Sequence, residues 1–99
     1  MKVLKIIIIA LVMLSLAACK SQYEVVKEGS DVNAKYALAF ECFNNGKYSK
    51  AAELFENMSV LTNGTERDDT VLYYWGLSNY RAQDYITAET NFENFLNKF

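Results

Sequence analysis

Apolar residues return every three or four positions along residues 31–99, the spacing that places them on one side of an α-helix. Four such segments follow one another, at about 31–43, 48–61, 65–82 and from 85 onward, separated by short runs rich in Asn, Gly, Thr and Asp. No segment shows the strict alternation of apolar and polar residues that is typical of a half-buried strand. We therefore predict an all-α fold.

The breaks between segments carry signals for helix ends. Gly46 and Gly64 follow the first two segments, and glycine readily adopts the left-handed conformation found at helix C-termini. Asp31 provides a capping oxygen before the first segment. Thr65, with Asp68 three residues later, resembles a capping box and predicts that the third helix begins at Thr65.

The chain contains an internal repeat with an offset of 37 residues. The aligned pairs are Leu38 with Trp75, Ala39 with Gly76, Phe43 with Tyr80, Tyr48 with Tyr85, Ala51 with Ala88 and Phe55 with Phe92. This order of large, small, Tyr, Ala and Phe resembles the tetratricopeptide repeat, a helical hairpin of about 34 residues. We predict two repeats, at about 32–64 and 69–99, each an antiparallel helix pair; the alternative is a helical bundle whose apolar stripes coincide.

The residue types suit close helix packing. Small residues at Ala39 and Gly76 would let paired helices approach, while Phe55 and Phe92 would fill the space toward a neighbouring unit. The chain has no proline, although a proline usually closes a tetratricopeptide unit. Because three or more repeats are usually needed for stability, we expect either a truncated part of a longer protein or a partner covering the last repeat.

The N-terminus has the pattern of an exported lipoprotein. Two lysines precede an apolar run, and Leu-Ala-Ala stands directly before Cys19, as in a bacterial lipobox. The apolar run is shorter than the roughly 20 residues that a membrane-spanning helix needs. We predict a lipoprotein signal peptide at 1–18, acylation (palmitate and related chains) of Cys19, and a polar tether at 19–30 with a helical period only around Val25 and Val26. Several acyl chains would hold the protein firmly on a membrane.

Composition narrows the functional classes. The net charge is -2, and without the two signal-peptide lysines the remainder has 8 basic against 12 acidic residues, with no basic patch for nucleic acid. Histidine is absent, and no phosphate loop or nucleophile motif occurs. We expect no enzyme activity, no metal and no cofactor besides the lipid on Cys19. Cys42 is expected to be a small buried hydrophobe; pairing between molecules is the alternative.

Several short sequence stretches follow one another in an order that is typical of a known family. They are the lipobox, Tyr23 to Lys27, Gly46-Lys47-Tyr48, Asn63-Gly64-Thr65-Glu66 and Val71-Leu72-Tyr73-Tyr74. In this order they resemble the N-terminal part of the BamD (YfiO/ComL) family, outer-membrane lipoproteins of the β-barrel assembly machinery, in particular those of the Bacteroidetes. The resemblance implies a scaffold that is lipid-anchored on the periplasmic side of the outer membrane. Its implied partners are nascent outer-membrane proteins and the barrel-forming assembly protein.

The repeat also predicts a binding groove on the first helix of each hairpin. The groove residues are Tyr36, Phe40, Phe43, Tyr73, Leu77, Tyr80 and Arg81. Aromatic rings provide large contact area with few torsions to order, which suits extended, aromatic-rich segments. The same rings could instead pack between helices as core, and a lone arginine such as Arg81 could meet a carboxylate or remain solvated.

Two other functional classes fit a lipid anchor followed by helical repeats. One is a glycan-binding lipoprotein of the SusD type, which would need a longer chain with sugar-stacking loops. The other is a lipoprotein enzyme for which these repeats form only the targeting part.

Overall fold

The computed structural model describes residues 22–99, and in this range it contains helices and no strands. The chain divides into two units, one ending at Ser30 and the other running from Asp31 to Phe99. The second unit consists of four helices: α1 (Val32–Asn44), α2 (Tyr48–Thr62), α3 (Asp68–Arg81) and α4 (Tyr85–Lys98). The predicted all-α fold is confirmed.

The described part of the first unit is helical at residues 22–28. The sequence predicted a polar tether here, with a helical period only around Val25 and Val26, and contacts one turn apart accompany the helix. The ammonium of Lys27 lies 6.0 Å from the ring centroid of Tyr23, and the Gly29 N–H donates to the Val25 carbonyl (3.0 Å). The predicted signal peptide and Cys19 lie outside the described residues.

Each helix of the second unit packs on its neighbour in the chain. Helices α1 and α2 form a first hairpin, α3 and α4 form a second, and the packing of α2 on α3 joins them. Among the described residues, no helix has both the length and the apolar character needed to cross a membrane. The predicted architecture of two antiparallel helix pairs is confirmed.

The turn inside each hairpin is the same structure, repeated 37 residues later. In the first hairpin the N–H groups of Asn45, Gly46 and Lys47 donate to the carbonyls of Glu41, Phe43 and Cys42. In the second, the N–H groups of Ala82, Gln83 and Asp84 donate to the carbonyls of Ser78, Tyr80 and Asn79. These bonds satisfy carbonyls that a helix end leaves without intrahelical partners. The repeat is therefore conserved in the backbone as well as in the side chains.

The third helix begins later than predicted. The carboxylate of Asp68 accepts from the N–H of Gly64 (2.9 Å), one residue before the expected partner. The Thr65 hydroxyl donates to the carbonyl of Thr62 (2.7 Å), at the end of α2, and accepts from the N–H of Arg67 (3.3 Å), so its partner is not the N–H of Asp68 that a capping box requires. The expected capping box was wrong in this respect, and α3 begins at Asp68. The predicted cap at Asp31 is confirmed, since its side chain accepts from the N–H of Ala34 (3.2 Å).

Small residues allow the close helix approach that the sequence predicts. Ala39 is completely buried. At Gly76, an added Cβ would lie 2.8 Å from Cε1 of Phe92, a separation that real Cβ atoms essentially never show, and 3.2 Å from the Cβ of Asn91, a tight contact. Cys42 is buried, as expected for a small hydrophobe. Burial raises the pKa of its thiol above the ordinary value.

A largely buried charge ties the end of α4 to the start of α3. The Asp68 residue is only 3% exposed, and the Lys98 ammonium lies 2.7 Å from its Oδ2. Lys98 also donates to the side chain of Asn63, in the loop before α3. The hydrogen bond from Lys98, followed by that from the Gly64 N–H, lowers the pKa of the Asp68 carboxyl.

Candidate partner-binding surface

A cluster of aromatic rings joins the two hairpins. Tyr74 of α3 places its ring edge-on to Phe40 (4.7 Å between centroids) and to Phe43 (5.4 Å), both on α1. The same ring stacks on Phe55 of α2 at 6.0 Å, and Phe55 is completely buried. Edge-to-face and offset arrangements are the favourable geometries for ring pairs. Tyr74 therefore holds the first hairpin against the second.

The three groove residues on α1 form the outer part of this cluster. Tyr36 and Phe40 lie 4.9 Å apart, while Phe43 is edge-on to Tyr48 at 5.3 Å. Each ring is half-buried. The rings thus pack between the hairpins on one side and remain open to solvent on the other, so that packing and surface roles are combined in the same residues.

Two arginines lie over these rings: Arg67, in the loop before α3, and Arg81, the last residue of α3. The guanidinium carbon of Arg67 is 4.3 Å from the ring centroid of Tyr36, and its Nη1 donates to Oδ1 of Asn33 (2.8 Å). The guanidinium of Arg81 lies 5.3 Å from the centroid of Phe43 and 5.8 Å from that of Tyr48. The sequence suggested a carboxylate or solvent as the neighbour of Arg81. In the structure Arg81 is exposed to solvent, and its guanidinium also lies over two aromatic rings, a favourable cation–π arrangement.

The remaining groove residues, Tyr73, Leu77 and Tyr80, lie on α3 of the second hairpin. Tyr73 is 41% exposed, and its ring contacts Phe92 (6.2 Å) and Phe95 (6.0 Å) of α4. Leu77 is half-buried. Tyr80 does not join the central cluster and instead pairs edge-on with Tyr85 at 5.4 Å. The candidate residues therefore fall into an inter-hairpin group on α1 and a more exposed group on α3.

Sequence reasoning missed three members of this surface: Tyr48, Arg67 and Tyr74. Tyr74 shares a face of α3 with Val71 and Ser78, three and four positions away, which the structure shows to be buried. The sequence did not single out this face, because apolar residues surround most of the helix. Arg67 precedes the helix in an irregular loop, where apolar periodicity carries no information.

The surface is suited to binding. In residues 22–99, no three His, Cys, Asp or Glu side chains come together as metal ligands would. Beside Arg67 is a cleft of about 560 Å³, whose lining is Val32, Leu61, Thr62, Gly64, Thr65, Glu66 and Arg67. The aromatic rings and the two guanidinium groups described above are able to bind other chains through contact area and charge.

Comparison with known proteins identifies the first hairpin. A family model described as Tetratricopeptide repeat matches residues 35–62, which run from within α1 to the last residue of α2. Neither the curated proteins nor the solved structures yielded a match to this chain. The second hairpin repeats the turn hydrogen bonds of the first at the 37-residue offset. Residues 32–98 thus form two helical hairpins of the tetratricopeptide type, the first of which matches the family model, and repeats of this type serve protein–protein interaction.

Proposed function

We propose that this protein is an outer-membrane lipoprotein scaffold of the β-barrel assembly machinery, which binds nascent outer-membrane proteins and assembly partners without catalysing a reaction. The observation that carries the proposal is a pair of aromatic groups on two helical hairpins: the half-buried rings of α1, Tyr36, Phe40 and Phe43, and the exposed rings of α3, Tyr73 and Tyr80. The first of these hairpins matches the tetratricopeptide repeat model. The resemblance of the ordered sequence stretches to the BamD family supports the choice of machinery.

The exposed rings suit the proposed substrates. Strands of barrel proteins carry aromatic residues at their interfacial girdles and alternate side chains between two faces. A partly unfolded strand can therefore present several rings to one surface. Tyr73 and Tyr80 offer large apolar area with a polar hydroxyl at the tip, and only two side-chain torsions must be ordered on binding.

The lipid on Cys19 would determine where this surface works. Acyl chains add about 0.8 kcal/mol per buried methylene, so that several chains keep a protein on the membrane without a spanning helix. Residues 19–30 would then separate the repeats from the lipid surface. On this proposal the aromatic residues of α1 and α3 bind their substrates in the periplasm, beside the membrane into which the substrates are inserted.

The binding part of the proposal is tested by photo-crosslinking in the native host. A photoreactive amino acid replaces Tyr73 in the full chain, and the matched control replaces Val60 on α2, which is 81% exposed and outside the groove. We expect crosslinks from position 73 to outer-membrane proteins and to the barrel-forming assembly protein, at several times the yield from position 60. Equal yields from the two positions would contradict the proposal.

The anchor is tested by fractionation. Cys19→Ala removes the proposed acylation site and should move the protein from the membrane fraction to the soluble periplasmic fraction. Cys42→Ala is the matched control, because Cys42 is buried and belongs to the packed hairpin. If Cys19→Ala remained with the membranes, the lipid anchor would have to be abandoned.

A further inference from the structure

The pair formed by Tyr80 and Tyr85 has a structural counterpart in the first hairpin. Phe43 and Tyr48 stand 37 residues earlier and have the same arrangement: the centroid distances are 5.4 Å and 5.3 Å, and the interplanar angles are 67° and 74°. Each pair bridges the turn of its hairpin, from the end of the first helix to the start of the second. The molecule thus contains two copies of one ring platform.

Among residues 22–99, a cation lies over the first platform but not over the second. The Arg81 guanidinium lies over both Phe43 and Tyr48, at 5.3 Å and 5.8 Å. On the second platform, Tyr80 is 54% exposed and Tyr85 is 56% exposed. Since the two platforms share their geometry, the first one demonstrates which group this arrangement accommodates: a guanidinium supplied by the next structural unit.

The charges near the second platform favour a cation more than those near the first. Asp84 directly precedes Tyr85, and Glu89 follows Tyr85 by one helical turn, with both residues exposed. The equivalent positions beside the first platform are Lys47 and Ala52. An arginine therefore binds the first platform with a lysine nearby, whereas at the second platform two carboxylates would attract it.

We propose that the Tyr80–Tyr85 platform is a docking point for an arginine side chain of a partner protein. The inference rests on the proposed scaffold function and adds the chemistry that a partner presents at this end of the groove. We assign the arginine to a different protein and not to a second copy of this chain. The sequence has two arginines, Arg67 and Arg81, and both already lie on the chain's own rings.

The experiment is a titration of the full chain in detergent micelles, followed by NMR of isotope-labelled tyrosine rings. The probe is N-acetyl-arginine amide, and the matched neutral probe is N-acetyl-citrulline amide, which has nearly the same shape without the charge. We expect the ring signals of Tyr80 and Tyr85 to move with the arginine probe and to respond about threefold more weakly to the citrulline probe, because an exposed cation–π contact is modest.

Two variants assign the response. Tyr85→Leu should abolish the shift at Tyr80, with the circular dichroism spectrum showing that the helices persist. Arg81→Gln uncovers the first platform, so that Tyr48 should become a second responding ring. Equal responses to both probes, no response at Tyr80, or ring shifts that depend on protein concentration without any probe would each overturn the proposal. Crosslinking from position 73 does not involve this platform. If those crosslinks were observed while the platform showed no response, the scaffold function would stand and only the docking proposal would be overturned.

Discussion

Gln83 adopts a backbone conformation that glycine adopts in the first hairpin. Its φ is 66°, and Gly46, at the equivalent turn position, has a φ of 77°. A side chain with a Cβ crowds the neighbouring carbonyl in this left-handed region, whereas glycine does not. The second turn is therefore formed at a local cost that the first turn avoids.

Gln83→Gly should stabilise the protein by about 0.5–1 kcal/mol, because removal of the Cβ strain outweighs the additional freedom of glycine in the unfolded chain. Urea unfolding monitored by circular dichroism measures the change. The reciprocal variant, Gly46→Gln, should destabilise by a similar amount. If both variants changed stability in the same direction, strain at the turn would not be the cause.

The ionisation of Asp68 makes the stability of the protein depend on pH in the acid range. Its pKa lies below the ordinary value of 3.8 in the folded protein, so the unfolded chain takes up its proton first as the pH falls. The contribution of the ionised Asp68 carboxylate to the free energy of unfolding is fully present above about pH 4 and is lost as the pH drops through the folded pKa. In unfolding experiments between pH 6 and pH 2.5, Asp68→Asn should show a weaker loss of stability at the acid end than the unchanged protein. Identical slopes would contradict this assignment.

Packing between the two helices of a hairpin uses different chemistry in the two repeats. In the second hairpin, Nδ2 of Asn79 donates to Oδ1 of Asn91 (2.8 Å), and both residues are buried. The equivalent positions in the first hairpin are Cys42 and Leu54, which are also buried. The second hairpin therefore joins α3 to α4 by a hydrogen bond between two side-chain amides, at the place where the first hairpin is apolar.

Asn91→Leu alone should destabilise the protein by about 1–3 kcal/mol, because the buried Asn79 amide loses its acceptor. The double variant Asn79→Cys with Asn91→Leu copies the first hairpin and should recover most of this loss. A double-mutant cycle from chemical unfolding yields the coupling energy. Additive effects of the two changes would mean that the amide pair does not act as a unit.

The two hairpins act as one molecule because Tyr74 lies between them. In repeat proteins, stability is approximately the sum of the units and of the interfaces between neighbours. The rings of Phe40, Phe43 and Phe55 all contact Tyr74. Loss of this ring removes much of the interface from both sides.

Tyr74→Ala should destabilise the protein by about 2–4 kcal/mol through the cavity and the lost ring contacts. Tyr73→Ala is the matched control, because it removes the same type of side chain from the preceding position, which is 41% exposed. It should lower the free energy of unfolding by about 1 kcal/mol. Chemical unfolding monitored by ring fluorescence and by circular dichroism compares the two. In Tyr74→Ala the two probes should no longer coincide if the hairpins unfold separately.

Much of the fold was predictable because it depends on residues near one another in the chain. Apolar spacing, glycines at the turns and the 37-residue repeat predicted the four helices and their pairing, and three of the four begin within one residue of the prediction. The exception is α3, whose start was misplaced by three residues because Thr65 bonds backward to α2. The hydrogen-bond partner of the Thr65 hydroxyl depends on which helix end lies next to it in the folded structure.

The sequence by itself determined the helical hairpins, their repetition and the aromatic character of the surface. Only the tertiary structure decided that Tyr74 lies between the hairpins while Tyr73 remains exposed, and that Arg81 lies over Phe43. Adjacent residues on α3 point about 100° apart, and apolar residues surround most of this helix. The side that becomes interior is therefore set by the docking of α3 against the first hairpin, a contact between residues distant in the chain.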